Sequence, residues 1–157
     1  MSALVRRAGR RDLDAIHALW GSLRELEAKL DPRLAPSADA DAVTREHREV
    51  ILADPRTVFF VSEEQGKVIG FLHAQIDAND PAFEPARYGT IVDLFVEAGR
   101  RGEGTADALL ESCLEWFHSH GLSEYRIDIP ALNRDAQAFF EKQQANPRAI
   151  TYVSKLD

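Results

Sequence analysis

The segment from Ile91 to Leu110 constrains this chain more than any other. Ile91-Val92-Asp93-Leu94-Phe95-Val96 reads as a strand and Glu97-Ala98-Gly99-Arg100 as a short turn. Arg101-Gly102-Glu103-Gly104-Thr105-Ala106 is a glycine-bearing loop, and Asp107-Ala108-Leu109-Leu110 opens a helix. This arrangement aims several backbone N–H groups and the positive end of a helix dipole at one point, which makes an anion site. Gly102 and Gly104 let the backbone approach a ligand because no Cβ stands in the way. Ala106 keeps that approach open at the first helical turn. Arg100 and Arg101 add charge and the geometry for bidentate phosphate contacts. The loop has no Gly-Lys-Ser/Thr ending, as a P-loop would need. It also lacks the third glycine and the N-terminal βαβ setting of a dinucleotide fingerprint. The plainer alternative is a strand-to-helix turn whose glycines only relieve strain.

The rest of the chain bounds the setting. A length of 157 residues, 45% apolar and 29% charged, predicts one soluble domain over residues 1–157, large enough to bury a core. No apolar run approaches the roughly 20 residues of a membrane span, and the N-terminus carries no h-region. A cytoplasmic protein with no membrane partner is expected. The single cysteine, Cys113, excludes an internal disulfide and a multi-cysteine zinc site. It falls on an apolar helix face with Leu109, Leu110 and Trp116, where a buried, inert thiol is expected. His118 and His120 near the end of that helix have no third ligand nearby, so no metal is expected. A net charge of −7 argues against nucleic-acid binding and favours a cationic partner.

Periodicity sets out the elements. Leu4 to Ala8 is a short strand, and Asp12 is the expected N-cap of a helix carrying Leu13, Ile16, Leu19, Trp20, Leu23, Leu26 and Leu30 at helical spacing. Asp31-Pro32 stops it. A helix poor in apolar positions follows from Ala40 to Leu52 and is expected on the surface over one edge of the fold. Thr57 to Ser62 and Val68 to Ile76 form a hairpin around Gly66. A polar loop from Asp77 to Arg87 leads to a strand from Tyr88 to Val96. Thr105 to His120 is helical and ends at Gly121. A strand from Tyr125 to Ile129, a helix from Asn133 or Asp135 to Lys142, and a last strand from Ala149 to Ser154 complete the order β-α-α-β-β-β-α-β-α-β. Antiparallel hairpins joined to a βαβ crossover predict a mixed α/β sheet with helices on both faces.

Three stretches and the element order together resemble the GNAT acetyltransferases. Arg101-x-x-Gly104-x-Ala106 after Leu94-Phe95-Val96 resembles their pyrophosphate loop. Val68-Ile69-Gly70-Phe71 is similar to an early strand of that family. Asn133-Arg134-Asp135-Ala136-Gln137-Ala138-Phe139-Phe140-Glu141-Lys142 is similar to its Asn-x-x-Ala-x-x-Phe-Tyr-Glu-Lys segment, and the element order agrees. The resemblance implies the acyl-CoA N-acyltransferase fold and acetyl-CoA as cosubstrate. It implies that Leu94, Phe95 and Val96 pair through their backbones with the pantetheine arm where two strands diverge. It puts the Val96 N–H near the thioester carbonyl as an oxyanion donor. It sets the loop Arg101, Gly102, Glu103, Gly104, Thr105 and Ala106 against the pyrophosphate, with Glu103 expected to point to solvent. Asn133 would bond the pantetheine or hold the strands apart, and Phe140 would pack beside the cofactor.

Three departures bear on activity. Phe140 stands where many relatives have a tyrosine that protonates the leaving thiolate. Val92 stands where many carry a glutamate base, and alternation turns its neighbour Asp93 to the opposite face. Gln143-Gln144-Ala145-Asn146-Pro147 replaces the family's Gly-Phe. Candidate bases for deprotonating an amine are Asp93, His73, Asp77 and Glu97, with a water chain as the alternative. Phe83 and Tyr88 are placed to line an acceptor pocket, while Trp20, Trp116, Phe117 and Phe139 read as core. The reading is an N-acetyltransferase acting on a primary amine in a ternary complex, a small molecule before a protein, with a homodimer plausible. The alternatives are a CoA-binding module with little or no transferase activity, and a structural or interaction domain.

Overall fold

In the computed structural model, which describes residues 3–157, the elements run β1 (Leu4–Arg7), α1 (Leu13–Leu30), α2 (Ala40–Ile51), β2 (Thr57–Glu64), β3 (Lys67–Ala78), β4 (Arg87–Val96), α3 (Thr105–Ser119), β5 (Tyr125–Ile127) and α4 (Arg134–Lys142). Five strands make one sheet in the order β1-β2-β3-β4-β5. The first four are antiparallel neighbours, and β5 lies parallel to β4. The β2–β3 hairpin closes on Gln65 and Gly66, at φ 50° and 79°. Both central residues are left-handed, as a primed two-residue turn requires.

Period-two alternation divides the strands between two cores. Val58 and Phe60 of β2 face α3 and α4 with Leu72, Ala74, Ile91 and Val96, packing on Leu109, Leu110, Cys113, Trp116, Phe117 and Phe140. Phe59 and Val61 face α1 with Phe71 and Phe95, against Ile16, Leu19 and Leu23. Helices therefore cover both faces, as alternation and element order predict. Cys113 is fully enclosed, and burial pushes its thiol up to about 12, which makes it inert.

Two strand glycines are set by packing. A Cβ on Gly70 would stand 3.1 Å from the Phe95 carbonyl oxygen and 3.3 Å from Leu109. A Cβ on Gly89 would lie 2.4 Å from the Phe117 ring, which cannot retreat from a filled core. Gly89→Ala is expected to destabilise by about 1–3 kcal/mol through overpacking. Thermal unfolding should then show a drop of about 2–10 °C for a chain of this size, and an unchanged melting temperature would contradict this packing.

The structure corrects four expectations. Asp12 does not cap α1 through its side chain. Its carboxylate turns back, accepting from the Gly9 N–H at 2.8 Å and from Arg6 Nη1 and Nη2 at 2.8 and 2.9 Å. A turn of 3-10 helix at Arg10–Asp12 precedes α1, so the carboxylate clamps β1 to that turn and is held below the usual aspartate range by Arg6. β5 ends at Ile127, two residues short of Ile129. The helix α2 is not a bland surface helix, because it buries Arg48. The strand expected at Ala149–Ser154 is absent: after α4 the chain passes through Gln144 at φ 68° and runs exposed from Asn146 onward. A strand pattern needs a neighbour with free backbone groups, and this segment lies against none.

Candidate active site

The parallel pairing of β4 with β5 covers only Gly89, Thr90 and Ile91 opposite Tyr125, Arg126 and Ile127. Beyond Ile91 the two strands separate, and Val92 to Val96 have β3 on one side only. Which backbone groups face the gap follows from the ladder. Glu97 N donates to Ile69 O at 2.8 Å, so the Val96 carbonyl, on the same peptide, points away from β3. It accepts from Arg101 Nε at 3.1 Å instead. The N–H and C=O of one strand residue share a side, and sides alternate. The Val96 and Leu94 N–H groups therefore face the gap, while Phe95, opposite Phe71, is committed to β3. Of the three residues assigned to backbone pairing, two have free groups there.

The glycine loop closes the lower end of this gap. Gly102 and Gly104 sit at φ 82° and 83°, a left-handed conformation that glycine adopts freely. Gly104 is the N-cap of α3, and no side chain caps that terminus. Its first N–H groups are thus left for an anion. Glu103 is exposed, as expected. The two arginines are engaged internally. Arg100 pairs with Glu64 at 3.0 Å, and Arg101 clamps the Val96 carbonyl with its guanidinium 5.1 Å from the Phe95 ring. Arg101 thereby anchors the loop to the end of β4. Asn133 caps α4, its Oδ1 accepting from Ala136 N at 3.1 Å, so only its amide N–H groups remain for a ligand. Phe140 is buried in the α3-side core, edge-on to Phe139.

On the α1 face the decisive feature is a β-bulge. His73 stands opposite Asp93 and Ala74 opposite Ile91, so Val92 is an extra residue in β4. A bulge breaks period two and resets the phase of the strand. Ile91 faces α3, and Asp93 bonds to Arg24 of α1. Ile91 and Asp93, two residues apart, thus face opposite sides of the sheet, where simple alternation would give them one side.

Asp93 anchors a buried polar cluster. Arg24 Nη2 donates to Asp93 Oδ1 at 3.0 Å and lies 2.7 Å from Glu27 Oε1. Arg48 of α2 donates to His17 Nδ1 at 2.8 Å, and a guanidinium only donates. His17 therefore carries its proton on Nε2 and donates it to Asp41. Trp20 lies between the two arginines, 5.9 Å from Arg24 and 5.1 Å from Arg48. Burial pushes Asp93 up to about 6 against the pull of Arg24 and Arg48. Burial likewise raises Glu27 against the pull of Arg24. Burial, with Arg48 and His47, lowers His73 to about 3, so its ring stays neutral and accepts a proton poorly. That ring stacks on Phe59 at 4.2 Å, its Nε2 without a partner.

Above this cluster a cleft of about 260 Å³ opens between α1 and the start of α2. Trp20, Arg24, Glu25, Ser37 and Asp41 line it, and Arg24 reaches from its wall to Asp93. The other predicted residues lie elsewhere. Asp77 accepts from Gln75 and Thr90, and Glu97 pairs with Lys67 at 3.0 Å. Tyr88 is covered by Arg126 at 3.7 Å, and Phe83 is exposed, so neither lines the cleft. Trp20 packs on the α1-side core, as expected, and its outer side forms a wall of the cleft. Sequence reading missed Arg24, Glu27 and Arg48. Their signal was faint: charged positions on helices, one pair at i and i+3.

Comparison with known proteins agrees with this geometry. Residues 20–145 match the acetyltransferase (GNAT) family. Human N-acetyltransferase 8 is 29% identical over 90 residues, covering 57% of this chain and 39% of that protein. This chain thus spans less than half the length of the curated relatives it matches. A tetramutant of the BH1408 protein from Bacillus halodurans superposes with a TM-score of 0.87 at 17% identity, covering 98% of this chain and 99% of that one. The aminoglycoside N-acetyltransferase AAC(6')-Iy, solved with CoA, superposes at 0.73 with 21% identity, covering 98% and 95%. With the diverging strands, the uncapped glycine loop and a family match over most of its length, the chain belongs to the GNAT acetyltransferase family.

Proposed function

We propose that this protein transfers an acetyl group from acetyl-CoA to the primary amine of a small molecule, by direct attack in a ternary complex. One observation carries the reading. The free N–H groups of Leu94 and Val96 lie on β4 between an uncapped glycine loop on one side and the carboxylate of Asp93 on the other. The residues present fit acetyl-CoA: orphaned strand groups suit an amide-bearing arm, and the left-handed loop at the N-terminus of α3 suits a pyrophosphate. Leu94 and Val96 would hold the arm, and Gly102 to Ala106 the pyrophosphate. Acetyl-CoA supplies the activated acetyl group, and the Val96 N–H is the proposed donor to its carbonyl oxygen.

The acceptor must lose a proton before it attacks, because a free alkyl ammonium titrates near ~10.4. Asp93, raised to about 6, is ionised at neutral pH and is the proposed base, directly or through water. Arg24 and Arg48 beside it disfavour a second cation and lower the acceptor's own pKa. His73 is the weaker candidate, since its conjugate acid forms only near about 3. The cleft lined by Trp20 and Arg24 is the proposed acceptor site, with Arg24 linking it to Asp93. The acidic net charge draws ammonium groups in.

A second reading rests on Phe140, which fills the core where a hydroxyl acid would serve the leaving thiolate. A thiol's ordinary pKa near ~8.5 makes that thiolate a tolerable leaving group without help. If help is indispensable, the protein binds acetyl-CoA and turns nothing over. Calorimetric titration followed by an amine screen for thiol release separates these cases. Micromolar acetyl-CoA binding with turnover is the expected result. Binding without turnover across many amines would favour the binding module, and no binding at millimolar ligand would overturn the enzyme.

A further inference from the structure

The polar cluster beneath the cleft holds more donors than the chain supplies acceptors. Arg48 is 4% exposed, and burial pushes its pKa down. Its guanidinium donates to Nδ1 of His17, a neutral ring, and among the described residues no carboxylate pairs with it. A guanidinium carries five N–H donors, and a cation withdrawn from water without a counter-charge is costly. The carboxylates around it are engaged elsewhere. Asp93 accepts from Arg24, and Asp41 accepts from His17 while its side chain stands mostly in solvent. Arg24 directs Nη2 to Asp93 and Glu27, and its buried Nε has no partner. Both guanidiniums lie against Trp20, whose outer side walls the cleft. Surplus donors on two arginines beside Asp93 suit one further anion.

We propose that the acceptor is an α-amino acid with an apolar side chain, its amine at Asp93 and its carboxylate on the spare donors of Arg48 and Arg24. This rests on the transferase reading above and names the substrate class of that same site. An α-amino acid fixes its carboxylate two bonds from its amine, so base and anion site must be neighbours. Arg48 is close enough to pull on Asp93 and to push on His73 opposite it. A plain alkylamine would occupy Asp93 and leave Arg48 without a counter-charge. A diamine would add a second cation beside two guanidiniums. The rest of the cleft, with Gly21, Ala28, Pro36, Ala38 and Ala40 beside the Trp20 ring, offers an apolar side chain small and apolar walls. In the transfer the amine nitrogen bonds the acetyl carbon and the carbon–sulfur bond breaks. The thiolate leaves with the electron pair, and the amine's proton passes to Asp93. The carboxylate keeps its partners throughout.

The test pairs acceptors that differ only in the carboxylate: leucine with isoamylamine, and phenylalanine with phenethylamine. Each is followed by thiol release from acetyl-CoA, and by calorimetric binding to the full chain with and without CoA. Rates are taken per free amine, because the two members of a pair titrate differently. The amino acids should show a kcat/KM at least about tenfold higher, carried by KM, and should bind more tightly. Arg48→Gln should bring that ratio close to one, and Arg48→Lys should keep part of it, as a point charge without the fork. A merely structural Arg48 would lower both members alike and leave the ratio intact. Should Arg48→Gln fail to fold, the paired acceptors on the parent protein decide alone. Equal or faster turnover of the plain amines would overturn the inference and leave the transferase standing. Preferential binding of the amino acids without thiol release from any acceptor would do the reverse. A preference that persists in folded Arg48→Gln would overturn the site, as would amino acids that neither bind nor react.

Discussion

Asp93→Asn is expected to lower kcat by about 10²–10⁴, the usual share of a general base, while the protein stays folded. The second half of that expectation follows from the same burial as the first. Aspartate ordinarily ionises near 3.8, and Asp93 near about 6. Across that window the folded chain holds the proton more tightly than the unfolded chain, so stability falls as pH rises from the lower value to the higher. Above about 6 the ionised carboxylate costs the folded state on the order of 3 kcal/mol. Asparagine removes that cost, so the melting temperature at pH 8 should match or exceed that of the parent protein. The pH profile separates a base from a merely structural group. Below the acceptor's own pKa, log kcat/KM rises with a slope of one because only the free amine reacts. Protonation of Asp93 adds a second proton, steepening the slope to two below about pH 6. The asparagine variant should lose that break and keep the single slope. Parent-like turnover with the break intact would remove Asp93 from the chemistry.

What could be read from the sequence is what is local in it. The strand, glycine loop and helix from Ile91 to Leu110 are contiguous, so their chemistry is visible in residue order alone. The two cores follow from alternation and helical spacing for the same reason. The misses come from contacts between distant segments. Gly89 is fixed by Phe117, and nothing near Gly89 announces the ring above it. The bulge at Val92 adds a residue without changing the apolar pattern, so residue order did not show that Ile91 and Asp93 face opposite sides of the sheet. Arg24, Glu27 and Arg48 look like solvated helix charges until α1 and α2 are laid over β4. Arg100 and Arg101 looked free for phosphate, but Glu64 and the Val96 carbonyl hold them. The segment at Ala149–Ser154 has the composition of a strand, but composition cannot say whether a neighbour with free backbone groups lies beside it, and none does.

Gly104→Val is expected to weaken acetyl-CoA binding at least about 100-fold, equivalent to ~2.8 kcal/mol, with the fold intact. The cause is backbone conformation, not crowding. A Cβ on Gly104 would meet nothing within 4 Å, but its φ is 83°. An L-residue in that region costs roughly 1–2 kcal/mol, and a β-branched one more. The loop escapes by rotating out of the left-handed well, and the rotation turns the first N–H groups of α3 away from the point where a pyrophosphate would sit. Residues 101–104 are exposed and support no core side chain, so circular dichroism and the melting temperature should change little. Gly99→Ala is the matched control: it also has open space around its Cβ but no positive φ, and its affinity should be unchanged. S-acetyl-pantetheine, which lacks the pyrophosphate, sharpens the comparison. Parent protein should bind acetyl-CoA far more tightly than this fragment, and Gly104→Val should bind the two about equally. An unchanged acetyl-CoA affinity in Gly104→Val would place the pyrophosphate elsewhere, and the free N–H groups at the start of α3 would lose the role assigned to them.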